Sequence, residues 1–159
     1  MVRKAHAAWD GAIKTGNGRM KLGSGAFEGN YSFTSRFEHT HDQLKEQVAG
    51  NRYEGEVDDY TNPEELIGAA HEGGDSMALS LFLEQAGHTP ERIETDADVS
   101  IEAKGDGFAI TGIHLSTRVK APGIDEKLFR KQADSAKENC PVSQALAGTN
   151  ITLDAQLVS

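Results

Sequence analysis

Residues 62–87 read NPEELIGAAHEGGDSMALSLFLEQAG. From Met77 to Leu83 the stretch is apolar nearly all round, which marks a helix enclosed by other structure rather than lying on a surface. Pro63 suits the first helical position, and Glu64 and Glu65 suit the positive end of the helix dipole. The middle is discordant. His71-Glu72-Gly73-Gly74-Asp75 places two glycines, each costing about 1 kcal/mol against alanine in a helix interior, beside two carboxylates. Two readings stay open: the helix breaks, with Asp75 capping a second helix from Ser76, or it runs on and the glycines and carboxylates line a site.

Upstream, two short runs flank a Gly-Asn pair at 16–17, a hairpin signal. YSFTSRFEH, residues 31–39, puts aromatic side chains at 31, 33 and 37 and reads as a third strand. Residues 38–61 are polar, acidic towards their end and poorly periodic, an excursion from the core in which DQLKEQVAG is a candidate short helix. Downstream, residues 92–103 alternate apolar and polar, turn at KGDG and continue as FAITGIHLSTRVKA, a second hairpin. Pro122-Gly123 stops that strand. IDEKLFRKQADSAKEN is amphipathic, Pro141 opens another helix, and NITLDAQLVS alternates as a last strand. Strands, helix, strands, helices, strand predicts one α+β domain over residues 1–159, with mostly antiparallel sheets around a central helix.

Several function classes fall away on composition. A net charge of −9 with no cluster of basic residues argues against nucleic acid. No run approaches the length of a membrane span. The first residues carry no signal-peptide pattern, so the cytoplasm is the expected location. The only cysteine, Cys140, excludes a disulfide within the chain and any CxxC motif. Nothing calls for a cofactor.

YSFTSRFE, TNPEELIGAAH, SMALSLFLEQAG, DADVSI, GFAITGIHLST, APGID and NCPVSQAL together resemble the OsmC/Ohr family, the osmotically inducible and organic hydroperoxide resistance proteins, and more closely its OsmC branch. The likeness spans the chain except the excursion at 38–61, which is longer than the family's usual link. It implies an intertwined α+β homodimer with two active sites at the interface. It also implies hydroperoxide reduction by a reactive cysteine on the central helix, a resolving cysteine at a later CP motif, and an arginine and glutamate that polarise the first thiol. On those motifs Arg36 matches the arginine, Glu64 the glutamate and Cys140 the resolving cysteine. The reactive cysteine falls at position 74, which here is Gly74. Glicine carries no side chain to attack a peroxide oxygen, so the implied chemistry is cut at its first step. Glu72 and Asp75 stand where small or apolar residues are expected, so the pocket's polarity is altered as well.

The remaining side chains each have a bland reading beside the chemical one. Cys140, just ahead of Pro141, sits where helix N–H groups favour a thiolate, or is a buried, inert cap residue. Arg36 and Glu64 make either a polarising pair or an ordinary ion pair. A straight helix would put Glu64 roughly 15 Å from position 74, so a shared site requires a bend or the partner subunit. His71 and Asp75, four apart on one helix face, could join Glu72, His39 and His41 in a nitrogen and oxygen metal site. No metal-binding motif is present, and a lone helix histidine is more often structural. Asp75, if enclosed, becomes a candidate for proton transfer near neutral pH. An interface pocket for a hydroperoxide or another small molecule completes the expectations.

Overall fold

The structure, a computed structural model, describes residues 1–38 and 60–158. His39, His41 and the candidate helix in DQLKEQVAG lie outside the described residues. The chain divides into two compact units, Met1–Pro63 and Glu64–Ser159.

The first unit is an antiparallel three-stranded sheet of β1 (Ala5–Asp10), β2 (Asn17–Leu22) and β3 (Glu28–Ser32), followed by helix α1 (Phe33–Phe37). Two expectations are corrected here. The turn expected at Gly16-Asn17 is displaced: Asn17 and the following Gly18 pair with Asp10 and Trp9 inside the ladder, and the chain reverses over residues 11–16, with Gly16 its last residue. Gly11 supplies the positive φ of 92° at that reversal. Gly18 is glycine for a different reason, because the Tyr31 ring lies where a Cβ would be. The expected third strand, residues 31–39, ends at Ser32. There Ser32 and Ser35 form a reciprocal capping box, Ser35 N–H to Ser32 Oγ at 3.0 Å and Ser32 N–H to Ser35 Oγ at 2.9 Å. Phe33 and Phe37, four residues apart, stack with centroids 5.0 Å apart, a helical rather than a strand spacing. The Ser35 hydroxyl also donates to Thr61 O at 3.0 Å, which ties the segment at 60–62 to α1.

In the second unit helix α2 (Pro63–Gln85) lies on a sheet of β4 (Arg92–Lys104), β5 (Gly107–Lys120) and β6 (Asn150–Leu157), with α3 (Glu126–Asn139) and α4 (Pro141–Ala145) between β5 and β6. The second hairpin stands as read, with Lys104 opposite Gly107 across a two-residue turn. One pairing departs from the antiparallel expectation: β6 runs parallel to β5. The intervening α3 and α4 supply the crossover that parallel neighbours need. Along β5, Ile113, Leu115, Thr117 and Val119 are buried, while His114, Arg118 and Lys120 are exposed, so one face meets the helices. Leu79 and Leu83 of α2 join Val119, Phe129, Ala133, Ala136 and Ala155 in the core. A hydroxyl chain sets the register of α2 on the sheet, Ser76 Oγ to Thr95 Oγ1 at 2.8 Å and Thr95 to Thr117 at 3.1 Å.

α2 is one helix. The break at Gly73-Gly74, and with it the reading of Asp75 as a helix cap, is overturned: neither glycine has positive φ, and the helix continues unbroken to Gln85. The enclosure expected for MALSLFL holds for only part of it. Leu79 and Leu83 are buried, whereas Met77 and Leu81, one turn apart, are 78% and 52% exposed in the chain. No helix among the described residues is long and apolar enough to cross a membrane.

Candidate functional site

One face of α2 carries His71, Gly74 and Asp75, and against it stand the end of α3 and the start of α4. His71 Nε2 lies 2.8 Å from Ser143 Oγ, a bond across 72 residues of chain that fastens α4 to α2. A Cβ on Gly74 would meet Cys140 Sγ at 3.1 Å and Val142 Cγ2 at 2.9 Å. Gly74 is therefore a close-packing glycine. The space in front of it is taken by Val142 and Cys140, and the short helix approaches because no side chain intervenes. Gly73, by contrast, faces open space, and nothing in the structure explains it.

Cys140 is fully buried. It ends α3, where its N–H donates to Ala136 O at 2.8 Å, and it caps α4 through backbone alone, its side chain making no cap hydrogen bond. Ser143 and Val142 follow from Pro141, which starts α4 in the position where a missing N–H costs nothing.

The polar residues on α2 are in an uncomfortable place. His71 and Asp75 are fully buried; His71 Nδ1 and both carboxylate oxygens of Asp75 have no hydrogen-bond partner among the described residues. Burial holds the His71 imidazole below its usual range, so the ring is neutral at physiological pH. Burial pushes the Asp75 carboxyl up to about 6, a rise that the ammonium of Lys137 on α3 partly opposes. A buried carboxyl without partners is rare and concentrates at working sites.

Arg36 and Glu64 belong to the first and the second unit respectively. Arg36 stands on α1, not on a strand, with its guanidinium 4.9 Å from the Phe37 ring centroid. Glu64 is buried in the first turn of α2, ten residues from Gly74 along one continuous helix. Glu72 is half-buried. Among the described residues no three metal-ligating side chains come together. His71 and Asp75 do share a face, as their spacing indicated. Ser143 and Lys137 were missed as site residues: their own segments carry no signal of it, because only the packing of α3 and α4 on α2 brings them to His71 and Asp75.

A long helix seated on a three-stranded sheet, with a cysteine-capped short helix closing against its midpoint, defines the class as an OsmC-like fold. The family model described as OsmC-like protein matches residues 55–155. The chain is 46% identical over 158 residues to Peroxiredoxin OsmC of Escherichia coli (strain K12), covering 99% of this chain and 97% of that protein. The chain belongs to the OsmC family. Among solved structures, an OsmC-like protein from Mycoplasma pneumoniae superposes with a TM-score of 0.69 at 13% identity, covering 100% and 99% of the two chains. An organic hydroperoxide resistance protein OsmC from Legionella pneumophila gives 0.65 at 18%, with the same coverage. These two establish the fold alone.

Proposed function

We propose that this chain is an OsmC-type hydroperoxide reductase scaffold that lacks the reactive sulfur, and so does not run a two-thiol peroxidase cycle. One observation carries the reading: the Cβ direction of Gly74 points at Cys140 Sγ from 3.1 Å. In a disulfide each Cβ lies about 3 Å from the opposite sulfur. The arrangement suits two sulfurs, and the chain holds one. In the complete cycle a thiolate attacks the distal peroxide oxygen, the alcohol leaves, and the resulting sulfenic acid condenses with the second thiol to a disulfide and water. Here the first step has no thiolate at 74. Cys140, enclosed behind α4, has no second cysteine to resolve it.

The expected assay result is hydroperoxide consumption, with dithiothreitol as reductant, no faster than that of the Cys140→Ser variant. Cys140-dependent turnover at thiol-peroxidase rates overturns the proposal.

A second reading, proton transfer by Asp75, draws on the buried, unpartnered carboxyl that titrates near neutral pH. It predicts a reaction abolished in Asp75→Asn and unaffected in Cys140→Ser, the opposite pattern from thiol chemistry. Glu72 carries no comparable observation.

The proposed assembly is a homodimer in the cytoplasm, with Met77 and Leu81 on the contact face, because large exposed apolar side chains one turn apart favour a partner surface. Light scattering is expected to give about 34 kDa, twice the 17.1 kDa of one chain. Met77→Glu with Leu81→Glu should lower that mass to a single chain. A wild-type monomer at micromolar concentration contradicts the assembly.

A further inference from the structure

Asp75 is fully buried, and neither of its oxygens has a partner among the described residues. It sits one residue from the closest contact between α2 and α4, where Gly74 meets Cys140 and Val142. We propose that Asp75 is a proton-controlled latch over Cys140: protonated, it lets α4 close on α2 and seals the thiol, and ionised, it loosens α4 and opens the thiol to solutes.

The groups facing Asp75 define both states. On its own helix, one turn back, is His71, whose Nε2 is engaged by Ser143 of α4 and whose Nδ1 is unpartnered. On α3 is Lys137, whose ammonium favours the ionised carboxyl. At the junction of α3 and α4 is Cys140. With Asp75 protonated and His71 Nε2 paired with Ser143, the seam carries no charge. On ionisation the carboxylate puts a net charge there, and neither of its oxygens has a partner among the described residues. A buried charge must then reach water or a counter-ion. The contact next to Asp75 is the one that Val142 and Cys140 make with Gly74, and in the latch it is this contact that gives way. The movable part is α4, five residues long and fastened to α2 at Ser143.

Burial raises the Asp75 carboxyl to about 6, so the latch would shield the thiol in acid and release it near neutrality. Burial also lowers the titration of His71, and Asp75→Asn, which leaves His71 in place, tells the two groups apart.

The test is the rate of Cys140 alkylation by iodoacetamide in the intact chain from about pH 5 to pH 8. At each pH that rate is divided by the rate for the urea-unfolded chain, which removes the thiol's own ionisation. This accessibility ratio is expected to rise by on the order of 10- to 100-fold with a midpoint near pH 6. Asp75→Asn should abolish the rise and hold the ratio at its acid value. Lys137→Met should move the midpoint to higher pH, since the ammonium that favours the carboxylate is removed, whereas a merely structural lysine would leave the midpoint in place. A flat wild-type ratio overturns the latch. So does an undiminished rise in Asp75→Asn, or an unmoved midpoint in Lys137→Met.

Discussion

Gly74→Cys is expected to supply the hydroperoxide consumption that, on the proposed function, this chain lacks. The backbone at 74 already faces Cys140, and the added side chain reaches toward its sulfur from 3.1 Å. One obstacle is local. The new Cβ lies 2.9 Å from Val142 Cγ2, closer than side chains pack, so Val142 must rotate or α4 must shift slightly. Val142→Ala in the same chain removes the clash and should raise the rate further. A second obstacle is electrostatic, since the Asp75 carboxylate disfavours a thiolate on the next residue. Pairing Gly74→Cys with Asp75→Asn should therefore speed the reaction near neutral pH, by about tenfold if the carboxylate raises the thiol by one unit. Stopped-flow consumption of an organic hydroperoxide with each variant, against Gly74→Ala, measures both effects. Equal, negligible rates in all of them, with folding intact, would mean that more than the sulfur is missing.

Asp75→Asn by itself is expected to stabilise the fold, and to do so only above acid pH. The folded state holds the Asp75 proton up to about pH 6, and an ordinary aspartate releases it near 3.8. Between those values the folded chain binds more protons than the unfolded one, so this residue's contribution falls as pH rises and levels off above about 6. The difference corresponds to about 3 kcal/mol. Urea unfolding of both proteins should give midpoints that nearly coincide near pH 4 and separate to their full extent by about pH 7.5, with the asparagine chain the more stable. Coincident midpoints at all pH values would show that the carboxylate finds solvation or a partner in the folded chain.

How much of this could be read from the residues varies with the range of the interactions. The long hairpin at 92–120 and helix α3 were legible because alternation and helical periodicity are local signals. Phe33 and Phe37 held helical spacing, but Tyr31 and Phe33 mimicked a strand; the deciding feature was the Ser32 and Ser35 capping box, two serines without the usual Glu or Gln. The Gly-Asn pair at 16–17 looked like a turn because the pairing of Asn17 with Asp10 is a cross-strand relation that the local sequence does not show. The parallel placement of β6 followed from how α3 and α4 pack, which strand alternation does not encode. The same division holds at the site. His71 and Asp75 share a face by their spacing alone, and a family likeness located Gly74 and Cys140. The engagement of His71 by Ser143, the cation at Lys137 and the seating of Val142 on Gly74 are tertiary. The two glycines that looked like a break are compatible with a continuous helix because one of them, Gly74, lets α4 come close.

The intact mass of oxidised Gly74→Cys, read with and without prior alkylation, tests the central claim most directly: that position 74 and Cys140 form a two-thiol site short of one sulfur. After one equivalent of cumene hydroperoxide the account predicts a mass lower by two hydrogens, resistance to alkylation, and a tryptic peptide pair joining residues 74 and 140. A chain that instead keeps both thiols alkylatable, or gains oxygen without forming the bond while remaining folded, contradicts it.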